Sequence, residues 1–321
     1  MTENIDLITI GAGPAGLTAA QYGARAGLSV LLLEQLAAGG QLQLIDVLEN
    51  YPGIAPGKTG YDFSEDLRRQ AEDFGAAIMN DSAETLKKEG RFFIITTGSG
   101  KTFKTSAVIL ATGARFRGLG IPGEKEYTGR GVSYCATCDG PLYKNKKVFV
   151  VGGGDAACGE AVFLSRLTNQ VILIHRRDKF RAQKVLADRT LNNPNIQVRF
   201  NTAMTEIKGD AKKIHSVVLG KTGADGLISD TETLYEENTD SVFIFSGTVP
   251  QTSLVTNGEL RVDLDEQGYI VTDEKRATTV PGLFAIGDLR ASVFRQVVTA
   301  AADGAIAAHC AAAYIESLND N

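Results

Sequence analysis

One local pattern occurs twice in this chain of 321 residues, and it limits the possible folds more than any other feature. Each copy reads as an apolar strand, a glycine-rich turn, a helix and a second apolar strand, over residues 5–34 and again over residues 147–177. The glycines of such a βαβ unit let the backbone approach a pyrophosphate at the amino end of the helix. We therefore predict an α/β protein with two Rossmann-like dinucleotide-binding domains. The turn residues are Gly11, Gly13 and Gly16 in the first copy and Gly152, Gly154, Asp155 and Ala156 in the second.

The two copies end in side chains of opposite charge. Glu34 follows the first turn by about twenty residues, where a carboxylate accepts hydrogen bonds from an adenosine ribose and repels a 2′-phosphate. The second copy ends in His175, Arg176 and Arg177, with Arg181 one turn further. Clustered guanidinium groups bind a 2′-phosphate, so the first copy suits FAD or NAD and the second suits NADPH. The alternative for the arginines is a solvated basic face at a strand end.

Two cysteines separated by two residues, Cys135 and Cys138, lie between the glycine-rich turns and are followed by Asp139. This spacing allows a disulfide to close and reopen, because the turn holds both sulfurs within bonding range. It is also half of a zinc site, but structural zinc needs four ligands, and the other two cysteines, Cys158 and Cys310, stand alone. We therefore expect no metal site. A pair of idle buried cysteines is the third interpretation.

Two further strands and a terminal helix complete the pattern. The stretch from Val108 to Ala114 reads as a buried parallel strand, and the stretch from Gly282 to Gly287 reads as another. A helix is predicted from about Phe294 to Leu318, with the next two residues after Phe294 in its first turn. We expect a discontinuous domain that binds FAD, interrupted by an inserted domain that binds NADPH and carries the cysteine pair. The expected boundaries are residues 1–114 and 248–321 for the first domain and residues 115–247 for the second.

Composition excludes several classes of function. The net charge is −5 and no basic tract is present, which argues against nucleic acid or an anionic membrane as the main partner. The first ten residues carry no lysine or arginine, so they do not read as a signal peptide. No window approaches the roughly 20 apolar residues that a membrane helix needs. Four cysteines in such a chain favour a reducing cytoplasm.

Nine short motifs together resemble the low-molecular-weight thioredoxin reductases of bacteria. The resemblance spans nearly the whole chain, and CATCDG is its most specific motif. It implies an FAD-containing homodimer that uses NADPH to reduce thioredoxin. The motifs are GAGPAG, GGQL at 39–42, ENYPG at 49–53, ATGA, CATCDG, GGGDAA, HRRDKFRA at 175–182, AIGD and RQVVTAA at 295–301.

The resemblance also assigns contacts with FAD residue by residue. It implies that Asp288 lies on the ribityl and phosphate side, although that residue also reads as a helix N-cap. Arg295 and Gln296 fall where the family meets the edge of the isoalloxazine ring; the alternative for both is an exposed first helical turn. The remaining contacts that it implies are Gly11, Gly13, Ala15 and Gly16 at the pyrophosphate, Glu34 at the ribose, and Gln35, Gly40, Gln41 and Asn50 at further flavin positions.

The resemblance implies a mechanism for the cysteine pair. Hydride passes from NADPH to the flavin, and electrons then open the disulfide, with Cys138 facing the flavin and Cys135 attacking the disulfide of thioredoxin. Asp139 is the candidate acid, with the first position of an Asp-Gly turn as the alternative. Because both sites on the inserted domain must reach one flavin, rotation of that domain between half-reactions is expected, with hinges near residues 114–123 and 246–251.

Other functions remain open at this point. A related flavoprotein disulfide reductase that serves another acceptor protein fits the same motifs, and so does a small-molecule dithiol oxidase, although the oxidase would not need the arginines. A flavin or nucleotide sensor without activity would not need the intact cysteine pair. The chain departs from the family at Ser246–Gln251, where a Gly-Tyr-x-Pro-Asn type of segment is usual. Cys158 and Cys310 are expected to be packing residues.

Overall fold

Two compact units make up the computed structural model, which describes residues 3–231 and 233–319. The first unit extends to Arg115 and resumes at Val249, and the second extends from Phe116 to Thr248. The strands are β1 (Glu3–Ile10), β2 (Val30–Glu34), β3 (Ala77–Asn80), β4 (Ala83–Glu89), β5 (Phe92–Thr97), β6 (Thr102–Leu110), β7 (Ala114–Phe116), β8 (Val132–Ser133), β9 (Val148–Gly152), β10 (Val171–Ile174), β11 (Ile196–Arg199), β12 (Thr202–Gly209), β13 (Ile214–Lys221), β14 (Tyr235–Asn238), β15 (Ser241–Phe245), β16 (Thr248–Pro250) and β17 (Leu283–Ala285).

Within residues 3–231 and 233–319, eight α-helices accompany these strands, together with short 3-10 turns at Gly40–Leu44, Gly140–Tyr143 and Gly287–Leu289. The helices are α1 (Pro14–Arg25), α2 (Gly60–Asp73), α3 (Glu124–Tyr127), α4 (Ala136–Asp139), α5 (Asp155–Leu164), α6 (Lys184–Leu191), α7 (Ser253–Thr256) and α8 (Val297–Asn319).

The first unit is built on a sheet whose parallel part contains the first glycine-rich turn. Strands β3, β2, β1 and β6 follow one another in parallel, β17 joins the carboxyl half of β6 in parallel, and β5 and β4 continue antiparallel from its amino half. Alternate residues of β1 serve opposite faces: Leu7 enters the core cluster with α1 and α8, and Ile8 enters the cluster on the other face. Both faces of the sheet are therefore covered, as parallel strands require.

Helix α8 is the core helix of this unit, and its close packing on α1 depends on small residues. By length and composition alone, Val297–Leu318 is apolar enough to cross a membrane, so the expectation that no segment approaches this length was wrong. Alanines raise its hydropathy, and they are buried because α8 packs on α1. At the crossing, a Cβ atom on Gly304 would lie 2.3 Å from the carbonyl oxygen of Ala15. The buried alanines are Ala300, Ala301, Ala307, Ala308 and Ala311.

The second unit repeats the parallel arrangement. Its five-stranded sheet has the order β11, β10, β9, β15, β8, and every pairing in it is parallel. Val148 and Val150 face the cluster that contains α5, whereas Phe149 and Val151 face a cluster shared with the antiparallel sheet of β12, β13 and β14. The predicted α/β fold class with two Rossmann-like βαβ arrangements is thus confirmed.

The predicted start of the terminal helix was wrong. Helix α8 begins at Val297, about three residues later than predicted, so Arg295 and Gln296 precede the helix. The carbonyl of Gln296 accepts the N–H of Ala300 at 2.9 Å, and the hydroxyl of Thr299 bonds to the backbone of Gln296, which starts the helix at this point.

The α1–α8 crossing predicts a specific stability loss. Gly304→Ala places a methyl group against the backbone of Ala15, so we expect the free energy of unfolding in urea to fall by about 1–3 kcal/mol. The control is Gly159→Ala in α5, where nothing lies within 4 Å of the added atom. There the better helix propensity of alanine is expected to raise stability by about 0.5–1 kcal/mol. Equal changes in both variants would contradict this account of the crossing.

Candidate functional site

The first glycine-rich turn, between β1 and α1, cannot accept side chains at two positions. Gly11 has φ of +103°, and a Cβ atom there would lie 2.4 Å from the carbonyl oxygen of Ala111 on the neighbouring chain segment. A Cβ atom on Gly16 would lie 1.8 Å from the carbonyl oxygen of Gly11. The helix therefore starts directly against the turn, which brings its first amides to the end of the sheet.

The amino end of α1 is open for an anion. Gly13 is the N-cap residue, makes no side-chain capping bond, and has nothing within 4 Å of where a Cβ atom would lie. The first N–H groups of a helix need partners and carry the positive end of its dipole. Ala15 lies in this first turn and is buried. The arrangement is typical of a phosphate-binding helix end.

Glu34, at the end of β2, is tied to the same turn. Its Oε2 accepts the N–H of Ala12 at 2.7 Å, and its Oε1 accepts the N–H of Leu36 at 2.8 Å. The carboxylate thus fixes the glycine-rich turn relative to β2. Gln35 and Gly40 are exposed nearby in sequence.

Three predicted flavin residues make long-range contacts within the first unit. The amide of Asn50 donates to the side-chain oxygen of Gln296 at 2.7 Å, although 246 positions separate them. The amide of Gln41 donates to the carbonyl of Ala114 at 2.8 Å. Folding therefore brings these polar groups from distant parts of the chain to the sheet that carries the glycine-rich turn.

Asp288 and Arg295 are half-buried charged residues of the first unit. Burial raises the pKa of the Asp288 carboxyl, Arg295 opposes this shift, and Asp303 adds to it. The guanidinium of Arg295 lies 3.7 Å from the ring centre of Tyr269 and donates to the carbonyl of Arg290 at 3.2 Å. Its buried Nε has no hydrogen-bond partner among the residues that the structure describes. Asp288 lies within a 3-10 turn whose N-cap is Ile286, so it is not the cap of a helix.

Asp303, on α8, is a residue that the sequence reasoning missed. Its buried carboxylate pairs with Arg276 and Arg290, each at 2.7 Å from Nε to oxygen, and accepts the N–H of Gly287 at 3.1 Å. It therefore fixes the backbone directly before Asp288. No local sequence signal pointed to it, because its partners lie 13 and 27 positions away.

The second glycine-rich turn repeats the geometry of the first. Gly152 has φ of +153°, and a Cβ atom there would lie 2.5 Å from the carbonyl oxygen of Phe245. Gly154 is the uncapped N-cap residue of α5, with open space around it. The carboxylate of Asp155 accepts both the backbone and the side-chain N–H of Gln183, each at 2.7 Å. Asp155 thus ties the turn to the start of α6, and Ala156 follows it in the first turn of α5.

His175 and the three arginines lie beside this turn but differ in exposure. Arg176, Arg177 and Arg181 are exposed, whereas His175 is buried with an unpartnered Nε2. Burial and the three neighbouring guanidinium groups lower the pKa of the His175 imidazole, so it is neutral at pH 7. A Cβ atom on Gly153 would lie 2.4 Å from this ring, so His175 packs directly against the turn.

The loop between β13 and β14 contacts Arg176, and this role of the loop was not predicted from the sequence. The hydroxyl of Thr222 donates to the carbonyl of Arg176 at 2.7 Å. A Cβ atom on Gly226 would lie 3.3 Å from Cδ of Arg176, so the loop packs along the arginine stem. These contacts order the stem before any ligand arrives. The Thr-Gly pair at the start of the loop was the only local signal.

The cysteine pair forms a disulfide at the amino end of α4. Cys135 is the N-cap residue, and its Sγ accepts the N–H of Cys138 at 3.1 Å and lies 3.4 Å from the hydroxyl of Thr137. Cys138 is exposed and Cys135 is half-buried. Asp139 is half-buried, ends α4 and donates its N–H to the carbonyl of Cys135 at 3.2 Å. The interpretation as two idle thiols is therefore excluded.

The other two cysteines are free thiols. Cys158 is fully buried in α5, where burial raises the pKa of its thiol to about 11, and Cys310 is half-buried in α8. In residues 3–231 and 233–319, no three His, Cys, Asp or Glu side chains group closely enough to hold a metal ion.

Known proteins resemble the chain over its whole length. A family model described as pyridine nucleotide-disulphide oxidoreductase matches residues 5–304. The chain is 51% identical over 320 residues to the thioredoxin reductase of Treponema pallidum, with all of both chains covered, and 44% identical to that of Listeria innocua, with 98% and 95% covered. Among solved structures, Lactococcus lactis thioredoxin reductase is 39% identical, with a TM-score of 0.91 and coverage of 98% and 99%.

The raised pKa of Asp288 predicts a pH-dependent stability. The folded protein binds this proton more tightly than the unfolded chain, so ionisation lowers the free energy of unfolding as pH rises above the ordinary value of 3.8. Asp288→Asn removes this cost. We expect the ligand-free variant to unfold at higher urea concentration than the wild type at pH 7, with the difference shrinking as pH falls below that ordinary value. A difference that is independent of pH would contradict the assignment.

Proposed function

Because the chain belongs to the thioredoxin reductases of the pyridine nucleotide-disulphide oxidoreductase family, we propose that it passes electrons from NADPH through FAD and the Cys135–Cys138 disulfide to thioredoxin. Members of this family use FAD and NADPH, and the predicted family is confirmed. The observation that carries the proposal is the disulfide, which lies in the same unit as the arginine-rich nucleotide turn. It would have no role in a reductase that acts on the flavin alone.

The first unit fits FAD. Its uncapped α1 terminus offers amides to the pyrophosphate, with Gly11, Gly13, Ala15 and Gly16 in contact, and Glu34 lies at the ribose end. The orphaned Nε of Arg295 supplies a buried donor for the flavin, and the carboxyl of Asp288 supplies a partner for its ribityl chain. Gln35, Gly40, Gln41, Asn50 and Gln296 are the further contacts we propose. Residues 1–114 and 248–321 are then the FAD domain.

The second unit fits NADPH. The uncapped α5 terminus at Gly154 offers amides to the pyrophosphate, with Gly152, Asp155 and Ala156 around it. Exposed guanidinium groups of Arg176, Arg177 and Arg181 provide charge-assisted hydrogen bonds to the 2′-phosphate, and neutral His175 supports the turn. Residues 115–247 are then the NADPH domain.

The dithiol residues prepare one sulfur for attack. Bound FAD would accept two electrons from NADPH and pass them to the disulfide. Once the disulfide is open, the N–H of Cys138 and the hydroxyl of Thr137 stabilise a thiolate on Cys135, because both groups already lie within reach of its Sγ. The Cys135 thiolate attacks the disulfide of thioredoxin, and Cys138 then resolves the mixed disulfide. We assign proton donation to Asp139, next to Cys138 in α4.

Rotation of the second unit between half-reactions is part of the proposal. The two chain segments that cross between the units support this proposal. They contain β7 and β16, which pair with each other. Each of these strands directly follows a glycine with positive φ, Gly113 at +66° and Gly247 at +121°. On the first-unit side, Gln251 exchanges hydrogen bonds with Thr112, in place of the asparagine usual in the family. A cross-link between the units that blocks neither half-reaction would contradict rotation.

We also propose that the protein acts as a cytoplasmic homodimer, with neither nucleic acid nor a membrane as partner. The net charge of −5, two free thiols and the burial of α8 in the core of its unit support these assignments. Tyr22 and Phe74 remain 41% and 48% exposed on the first unit, which leaves apolar surface for a second copy. Light scattering of the flavin-loaded protein measures the oligomeric state.

An anaerobic titration tests the proposed function. We expect NADPH to bleach the purified flavoprotein and oxidised thioredoxin to restore its colour. Cys138→Ser and Cys135→Ser should keep bleaching but lose thioredoxin reduction by at least about 10³-fold, because thiol-disulfide exchange needs both sulfurs. Cys158→Ser is the matched control and should leave turnover unchanged. Recovery of colour only with another protein or with a small dithiol would replace thioredoxin as the acceptor.

Selection of NADPH over NADH tests the arginines. Arg177→Gln and Arg181→Gln each remove a charge-assisted contact, so kcat/KM for NADPH should fall about 10–100-fold while that for NADH stays constant. Lys184→Gln is the control, because Lys184 at the start of α6 is 88% exposed and carries the same charge. If this control lowers kcat/KM for NADPH equally, general electrostatic attraction and not a 2′-phosphate site accounts for the preference.

A further inference from the structure

Glu124 is a buried carboxylate that the proposed mechanism does not use. It begins α3, is only 3% exposed, and lies outside both glycine-rich turns. A buried carboxylate is costly unless hydrogen-bond donors surround it. Its partners therefore indicate what the residue is for.

Three donors converge on this carboxylate. The N–H of Leu119 donates to Oε1 at 2.9 Å, and the N–H of Gly120 donates to Oε2 at 2.6 Å. The phenol of Tyr134 donates to Oε1 at 2.6 Å. Burial, followed by this bond to Glu124, raises the pKa of Tyr134 to about 12, so the phenol stays a donor. Short bonds to an ionised acceptor are the strong class of protein hydrogen bond.

Two of these contacts hold the turn that follows the first chain crossing. Leu119 and Gly120 follow shortly after β7, which ends at Phe116, where the chain has just entered the second unit. A Cβ atom on Gly118 would lie 2.6 Å from Oε1 of Glu124, so the turn fits closely around the carboxylate. Glu124 thus fixes this turn from within the unit.

The third contact leads directly to the disulfide. Tyr134 is the residue before Cys135, and its ring packs against the core cluster that contains Val132 and Phe149. Ser133 also holds the backbone of Cys135. Its hydroxyl accepts the N–H of Cys135 at 3.0 Å and donates to the carbonyl of Cys135 at 3.2 Å. The backbone of Cys135 is therefore held on its amino side by two side chains.

We propose that Glu124 and Tyr134 form a positioning pair for the dithiol. While the disulfide is closed, the sulfur-sulfur bond itself keeps the two Cα atoms 5.4 Å apart. After it opens, that spacing depends on the first turn of α4 and on the anchoring of residues 133 and 134. The pair keeps Cys135 near Cys138, which raises the effective concentration of one thiol at the other and favours reclosure. This role rests on the proposed redox cycle of the two cysteines.

The inference gives a direction for the redox equilibrium. In a glutathione buffer, the disulfide and two glutathione thiols exchange with the dithiol and one glutathione disulfide, so two electrons and two protons move together. Loosening Cys135 gives the open dithiol more conformational freedom, whereas the closed disulfide is still held by its own sulfur-sulfur bond and gains little. The equilibrium constant for reduction should therefore rise when the phenol bond is removed.

Tyr134→Phe is the test variant, because it deletes one hydroxyl and keeps the ring that packs in the core. The flavin-loaded protein is equilibrated anaerobically in glutathione buffers, and alkylation followed by mass spectrometry measures the reduced fraction of the 135–138 peptide. We expect the equilibrium constant to shift about 5- to 10-fold toward the dithiol. This is less than the full contribution of one hydrogen bond to a charged acceptor, because only part of that contribution changes between the two redox states. Glu124→Gln should shift the constant in the same direction. An amide nitrogen in the place of Oε2 cannot accept the N–H of Gly120, so the contact that holds the carboxylate in place is lost.

Tyr127→Phe is the matched control. Tyr127 lies in the same core cluster, is 6% exposed, and is adjacent to neither cysteine. It should leave the equilibrium constant unchanged even if it lowers the free energy of unfolding. An unshifted constant in Tyr134→Phe, or an equal shift in Tyr127→Phe, would overturn the positioning role. The measurement does not involve thioredoxin, so a failure of the proposed acceptor leaves its outcome unaffected.

Discussion

The close approach of glycine to neighbouring backbone is the constraint on which both nucleotide turns depend. In the first unit, Gly16 on α1 lies so near the carbonyl of Gly11 that no side chain fits, and Gly304 on α8 meets α1 with similar closeness. The first turn of α1 is therefore placed at the carboxyl end of the sheet with its amides open. The second unit uses Gly152 in the same way. A phosphate site needs this proximity, because the field of a helix end falls off within one turn.

Charged groups in the two units are arranged for different tasks. The first unit has a buried ionic cluster: Asp303 binds two arginines and the backbone before Asp288, whose own carboxyl is held in an environment that disfavours ionisation. The second unit keeps the three arginines beside its nucleotide turn exposed and supports one of them along its stem. Buried charge orients a site, whereas exposed guanidinium groups remain available to a ligand.

Much of the architecture followed from short-range sequence signals. Both glycine-rich turns, their strands and the disulfide between Cys135 and Cys138 lie where the patterns predicted, because each depends on residues within a few positions of one another. Boundaries were less accurate. The predicted start of α8 was too early, because Thr299 bonds to the backbone of Gln296 and the helix begins after that residue. The individual cofactor contacts stay predictions.

From the sequence by itself, glycine spacing predicted the α/β class, and the charges at the strand ends distinguished the two nucleotide turns, because these are local properties. The resemblance of its motifs to a known family implied the two cofactors and the redox role of the cysteine pair. Only the tertiary structure decided that Asn50 meets Gln296, that Asp303 supports the turn before Asp288, and that Glu124 joins Leu119 and Gly120 to the residue before Cys135. These contacts join residues whose pairing no local sequence pattern indicates. A buried carboxylate needs donors from wherever the fold supplies them, and those donors can be identified only after the backbone has been placed.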